Sequence, residues 1–465
     1  MIRRHKLPFY VVILSTFVLV DFFLYLAKIR KPKTPTHSGN IIWSWVSTTR
    51  HPNWHSLTPT GIATNVSLLL TESDTSMNGL LREWIHQMNI QQHVTNEDAY
   101  GKLPSPSDFN AGPPPDSVFV IQVHKRLINL DILVRSLERV KGIEKSLVVF
   151  SMDFVSVDIL SLIQSIRFAR TVSIFYPHSL QVFLKTFPGP DPRDCFRNAT
   201  VSESSNVQCV DAEWADHYGH HRDFRIAQTK NHWLWKAQFV FTHLCALRSY
   251  TGHIIFIEED HYVVEDILHV LRLIEHQIKP TKALGFISLG SYEISQTYES
   301  NKVVQSGWVS SSHNLGVAIS RAMWNVISKC LDAFCRYDDY NWDWSMHYIG
   351  RECITGSLKA FSIPQSTRVY HLGQCNGMHH QRENCSVYSL AQQVTQRLST
   401  VVLSRLYPVK LDFAASSKIA AFPPRANGGW ADLRDQALCQ SMVDGQWQQR
   451  LTRWAPNLTF YPPLY

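Results

Sequence analysis

His253-Ile-Ile-Phe-Ile-Glu-Glu-Asp-His-Tyr262 is the stretch on which the reading of this chain turns. Ile254–Ile257 has the length and β-branching of a buried strand. It stops abruptly in Glu258, Glu259 and Asp260. Acids at the carboxyl end of such a strand lie where open α/β sheets bind ligands. Three adjacent carboxylates repel one another, so a cation is needed to compensate them. A hard divalent metal fits oxygen ligands and bridges to phosphates; a solvated acidic turn is the plain alternative.

Working outward, strand and helix patterns alternate. Ser117–Val123, Ser146–Ser151, Val172–Tyr176 and Phe286–Leu289 read as strands. Leu127–Val140, Val157–Ala169, Thr229–Arg248 and Asp266–Ile278 have helical spacing. The alternation predicts a mostly parallel sheet covered on both faces. A loop-rich insert, Phe187–Asp223, interrupts it. In the C-terminal third long periodic segments thin out. The stretches Asp338–Trp344, His371–His380 and Asn427–Asp435 read as loops and short elements over the sheet's binding edge. There is no Gly-rich phosphate loop of either common kind.

The 465 residues are 45% hydrophobic and 18% charged, the composition of a folded protein. The net charge of +7 is spread too thinly to argue for nucleic acid. Leu7–Ala27 is long and apolar enough to span a bilayer, with Asp21 its one charge. Residues 1–6 then form a short tail, 28–115 a Pro- and Ser-rich stem with one helix near Asn78–Gln91, and 116–465 the folded core. Sequons at Asn65, Asn198, Asn384 and Asn457 point to a lumenal body. The nine cysteines lack a C-x-x-C zinc pattern, and disulfides in an oxidising compartment fit better, with Cys245 left over on a helix.

The acids after Ile257 suit a metal that clamps a diphosphate leaving group, the logic of a nucleotide-sugar transferase. Such chemistry also needs a base for the acceptor hydroxyl. Asp338, Asp339 and Asp343 are the candidates, and Asp343 lies between Trp342 and Trp344, aromatic faces suited to sugars.

Taken with Ile121–Arg126, Pro188–Cys195, Gln228–Lys236, Glu258–Tyr262, Tyr337–Trp344, Cys375–His380 and Asn427–Trp430, in that order, the chain resembles the N-acetylglucosaminyltransferase II family from about Ser117 to Cys439. The resemblance implies an α/β, GT-A-type fold with a Rossmann-like sheet and a disulfide-stapled, loop-rich C-terminal part. It implies a Golgi membrane enzyme of type II topology. The reaction would be inverting transfer of N-acetylglucosamine from UDP-N-acetylglucosamine to the 2-hydroxyl of the α-1,6-arm mannose of an N-glycan. That step commits the glycan to the complex type. Mn²⁺ is the implied cofactor, held by Asp260 and His371, with Asp343 as the base. Gln122, Val123, His124, Lys125, Arg126, Asp153, Gln228, Thr229, Lys230, Asn231 and His232 match donor-binding segments, and Glu259 would touch the ribose or sugar. The family pattern pairs Cys195 with Cys209, Cys330 with Cys353, Cys335 with Cys439 and Cys375 with Cys385.

The chain departs from the family at Lys125, where Asn is usual, Leu127 for Pro, Asn231 for His, and Gln296 near a donor-binding Arg; Thr281–Gly285 lacks a cysteine pair. The alternatives are a transferase acting on the α-1,3 arm, a non-catalytic glycan-binding relative, and a glycosidase with paired carboxylates. The sequence does not exclude a homo-oligomer.

Overall fold

The four strands that carry the acid-bearing end lie side by side and parallel, with the chain reversing its direction of travel across the sheet at their centre. In this computed structural model the described residues are 75–444, apart from 109, 111, 201–202, 204–208, 282, 294–296, 376–384 and 416–425. The expected membrane segment, residues 7–27, three of the four sequons and Gln296 lie outside the described residues. Among the described residues no helix is long and apolar enough to cross a membrane.

The strands are β1 (Val94–Thr95), β2 (Ser117–Val123), β3 (Ser146–Met152), β4 (Arg170–Phe175), β5 (His253–Glu258), β6 (His261–Val263), β7 (Phe286–Ser288), β8 (Lys302–Gly307), β9 (Val317–Ser320), β10 (Lys359–Ser362), β11 (Val369–His371) and β12 (Asp412–Ala415). The main sheet runs β1-β4-β3-β2-β5-β9-β7-β10-β8-β12. The block β4-β3-β2-β5 is parallel. Beyond it β9 pairs antiparallel with both β5 and β7. The chain steps outward from β2 to β3 and β4, then returns to the other side of β2 as β5. This makes β2/β5 a topological switch point, where the carboxyl ends of the strands open a crevice. Gln122 and Glu258 are register partners across it.

Alternation along the strands sorts the core into two faces. Val118, Val120, Ile254 and Phe256 pack under the helix Phe224–Thr242. Phe119, Ile121, Ile255 and Ile257 pack under Leu127–Leu137 and Ile267–Ile278. In the last of these helices Ile267, Leu268, Val270, Leu271, Ile274 and Ile278 are buried, the spacing of an amphipathic helix. Leu127–Leu137 and Val157–Ser165 are shorter than their periodicity suggests. The helix Phe224–Thr242 begins earlier than expected because Asp223 caps it, accepting from the Arg225 N–H at 3.0 Å. It also ends earlier, so Cys245 sits in the following short turn, buried and unpaired.

Two expectations are revised. The stem does not extend to residue 115, since the helix Thr75–Gln91 and β1 are built onto the sheet. Asn89 binds both the N–H and the C=O of Phe175 at 2.8 and 2.7 Å, mimicking a strand neighbour. Trp84 packs edge-on against Phe175, and Ile85, Val94 and Leu103 are buried. The C-terminal third is also more helical than its loops suggested, with Trp342–Glu352, Val387–Arg397 and Leu433–Asp444. Its disulfides are Cys330–Cys353, Cys335–Cys439 and Cys375–Cys385, and Cys195–Cys209 closes the insert. This is an α/β, GT-A-type architecture: a largely parallel half continued by a mixed half stapled through disulfides.

Candidate active site

The acids after β5 turn sharply at the switch point, and each finds a different partner. Glu259 is buried; its Oε2 accepts from the His124 backbone N–H and its Oε1 from Arg126 Nε, both at 2.7 Å. Arg126 also donates from Nη1 to Asp260 Oδ2 at 2.7 Å. The cation that offsets this acidic turn is therefore partly the Arg126 guanidinium, whose own pKa is raised because the two carboxylates outweigh burial. Each oxygen of Glu259 thus accepts one bond from the His124–Arg126 loop, and Glu259 holds that loop in place.

Asp260 has a further neighbour. β6 and β11 form a small antiparallel pair with His371 opposite His261. This places His371 Nε2 3.4 Å from Asp260 Oδ2, although 111 residues separate them in sequence (371 − 260). The Leu372 N–H donates to the Asp260 carbonyl at 2.8 Å and locks the pairing. Burial alone raises a carboxyl, but His371 and Arg126 hold Asp260 well below the usual range.

A divalent cation fits here on two observations. Asp260 Oδ1 is buried and has no hydrogen-bond partner among the described residues. Gly373 leaves open the space beside the pair: a Cβ there would stand 2.1 Å from Asp260 Oδ2 and 2.6 Å from His371 Nε2. Carboxylate plus neutral imidazole is a donor set that Mn²⁺ accepts. Glu258, Asp260 and His261 also bring one atom each within 4.8 Å. His261 is a poor third ligand, however. Burial lowers its pKa to about 4, keeping it neutral, and its Nδ1 accepts the Glu258 N–H at 3.1 Å, which leaves Nε2 carrying the proton.

A second cluster flanks the crevice on the β3 side. Asp153 Oδ1 lies 2.6 Å from His124 Nδ1, and its Oδ2 accepts from Gln228 Nε2 at 3.0 Å and lies 3.3 Å from His232 Nδ1. His232 Nε2 in turn lies 2.8 Å from Ser151 Oγ. Gln228 also receives the Leu180 N–H at 2.7 Å. Burial opposes ionisation of Asp153, but the two histidines win and hold its pKa well below normal. Lys125 extends outward with its ammonium 4.3 Å from the Phe154 ring centre.

Asp343 sits in the first turn of the helix Trp342–Glu352. Its Oδ2 accepts from Asn314 Nδ2 at 2.8 Å and its Oδ1 from the Trp344 N–H at 3.0 Å. Burial, only partly offset by the Asn314 bond, pushes it up to about 7, with Asp339 and Glu258 adding repulsion. A carboxylate near neutrality is suited to taking a proton. Tyr292 links the two groups: its ring lies 5.8 Å from that of His371, and it hydrogen-bonds Asn314, the residue that donates to Asp343. A cavity of about 380 Å³ opens beside it, lined by Tyr292, His371, Gln374, Gln393 and Arg397 among others.

Several sequence candidates lie elsewhere. Val123 points into the core and offers only its carbonyl, to the Asp153 N–H at 3.3 Å. Thr229 Oγ1 bonds the Arg225 carbonyl of its own helix. Lys230 turns to the carbonyls of Tyr337 and Asp339 at 3.1 and 2.8 Å. Asn231 is buried within the same helix. Asp339 is not a base: it receives Asn427 through N and Nδ2 at 2.9 and 2.8 Å, and Asp338 receives the Trp430 N–H at 3.0 Å. Both hold the Asn427–Trp430 loop. Trp342 is core, stacked on Trp233 at 4.3 Å, whereas Trp344 is half-buried. Asn314, Tyr292 and Gly373 were not found from sequence. Asn314 and Tyr292 lie in no recognisable motif, and Gly373 sits unremarked in the His371 stretch.

An open sheet with a carboxylate–imidazole pair at its switch point and a second buried carboxylate held near neutrality is an arrangement suited to a glycosyltransferase. Residues 82–439 match the family model of N-acetylglucosaminyltransferase II (MGAT2). The chain is 38% identical over 365 residues to the rat alpha-1,6-mannosyl-glycoprotein 2-beta-N-acetylglucosaminyltransferase, covering 77% of this chain and 79% of the relative. The human protein of that name is 36% identical, with 77% and 78% covered, and the Arabidopsis thaliana one 28% identical, with 69% and 73% covered. Among solved structures a mannosyltransferase from Pyrobaculum calidifontis aligns at 9% identity and TM-score 0.28 over 82% of this chain and 84% of that one, too weakly to inform the site. The chain belongs to the N-acetylglucosaminyltransferase II family.

Proposed function

We propose that the chain transfers N-acetylglucosamine from UDP-N-acetylglucosamine, with inversion, to the 2-hydroxyl of the α-1,6-arm mannose of an N-glycan. The observation that carries this is the placement of Asp260 and His371 at the β2/β5 crevice, with Asp343 tied to the same place through Asn314 and Tyr292, whose ring lies 5.8 Å from that of His371. The relatives' names supply the acceptor and its arm.

Asp343 accepts the proton of the attacking hydroxyl. That oxygen bonds to the anomeric carbon as the bond from this carbon to phosphate breaks, and the electron pair leaves with UDP. Asn314 aims the carboxylate, and Trp344 offers a half-buried aromatic face beside it. Asp260 and His371 are the residues that would hold Mn²⁺, which when bound neutralises charge on the diphosphate. The His124–Arg126 loop, fixed by Glu259, and Asp153 with Gln228 and His232 would form the nucleotide side.

A membrane anchor at residues 7–27 and a Golgi-lumenal body are part of the same proposal. The disulfides favour an oxidising compartment, and Asn198 of the second sequon is exposed. Incubating the disulfide-bonded protein with Mn²⁺, UDP-N-acetylglucosamine and a trimannosyl core bearing one N-acetylglucosamine on the α-1,3 arm tests the reaction. One added β-1,2 residue on the α-1,6 arm is expected. No product, or product on an acceptor free only at the α-1,3 arm, overturns it.

A further inference from the structure

Two lysines on the helix Phe224–Thr242 are buried, and they are buried for different reasons. Lys230 is a clasp: two carbonyls accept from it and its ammonium lies 4.3 Å from the Trp430 ring centre. Lys236 is 1% exposed, and among the described residues its hydrogen-bond partner is Gln122 Oε1, at 2.7 Å. No carboxylate pairs with it there. The nearest rings are Phe256 and Trp233, at 5.7 and 5.9 Å. An ammonium with so little compensation is costly to bury. In keeping with that, burial pulls its pKa down to about 7, against the weaker pull of Glu258 and Asp153.

What such a charge can do follows from the register. Gln122 is the last residue but one of β2, half-buried, opposite Glu258 across the switch point. It stands on the same sheet face as the Ser151 that His232 touches, and His232 and Lys236 are one helical turn apart. An ammonium can only donate, so the Gln122 carboxamide must turn its oxygen to Lys236 and its N–H groups away. We propose that Lys236 is a positioning residue for the donor site: it fixes Gln122 so that the amide N–H groups are presented to acceptor oxygens of the nucleotide-sugar. This rests on the reading that the crevice binds that donor.

Lys236→Met, Gln122→Met and the double variant of the full chain test it. The readouts are KM and kcat for UDP-N-acetylglucosamine, calorimetric UDP binding with Mn²⁺, and the thermal midpoint. Lys236→Met is expected to raise KM about tenfold, the loss of one oriented hydrogen bond, with kcat changed far less. Its thermal midpoint should hold or rise, because an uncompensated charge leaves the core. The double variant should fall no further than Gln122→Met. An unchanged KM in Lys236→Met, or penalties that multiply in the double variant, overturns the proposal. Should Lys236→Met not fold, Gln122→Met carries the test: a similar rise in KM supports it and an unchanged KM overturns it. Wild-type protein that binds no UDP or UDP-N-acetylglucosamine overturns the donor reading itself, and this proposal with it.

Discussion

The two sides of the crevice are built by different means. The donor side rests on β2, β3 and β5, parallel and buried on both faces; its polar residues are the last ones on those strands or lie just past them, joined by Gln228, His232 and Lys236 of the helix packed over the sheet. The base side rests on a short helix, Trp342–Glu352, held by neighbours far away in sequence: Trp342 on Trp233, and Cys353 joined to Cys330. On the donor side position follows from the strand end. On the base side it follows from packing and cross-links, so the two should fail differently when disturbed.

The largest effect is expected at Asp343. Asp343→Asn should lower transfer about 100- to 10,000-fold while leaving UDP binding intact, since a general base acts on the bond-forming step. Single-turnover rates check it. Next is the Cys335–Cys439 bond, which closes a separation of 104 residues and ties the helix Leu331–Arg336 to Leu433–Asp444. Cys335→Ala with Cys439→Ala should cost about 2–5 kcal/mol of stability in denaturant titrations. Equal losses of donor and acceptor affinity in the surviving folded protein would break the contrast between the two sides.

A smaller loss is expected from Gly373→Ala, where the new methyl meets Asp260 and His371. Mn²⁺ affinity should fall about 10- to 100-fold, read from metal titrations of UDP binding without turnover. The smallest effect is on pH dependence. Burial pushes Asp343 up to about 7, so the base becomes ionised as pH rises through that value and kcat/KM should climb there. Asn314 donates to the ionised form, so Asn314→Ala should move that limb to higher pH and cost roughly two- to tenfold at about pH 6.5. A limb that stays in place would remove Asn314 as the residue that orients the base.

The same contrast explains what could be read without coordinates. β2 was legible to the residue, because apolar runs bounded by polar residues mark buried parallel strands. Its neighbours β3 and β5 were found within a residue or two. His371 was reached only through the family resemblance, whereas Asp343 was already a candidate from its place between two tryptophans; nothing local in their segments says that β6 pairs with β11 or that Asn314 meets Asp343. Glu259, Thr229 and Lys230 make bonds within the protein that the sequence did not reveal, for one reason. A polar residue inside a motif can be spent entirely on holding the motif, and sequence does not say which way it points. The helix Thr75–Gln91 was taken for stem because its sequence, TSMNGLLREWIHQMNIQ, is rich in polar residues and follows a Pro- and Ser-rich stretch.

The most direct test of a divided site sets two variants side by side in calorimetric titrations of UDP with Mn²⁺. Asp343→Asn should bind as the wild type does, while His371→Ala should bind at least about tenfold more weakly. Equal binding by both variants, or weaker binding by Asp343→Asn, would contradict the assignment of leaving-group and bond-forming chemistry to opposite sides of the crevice.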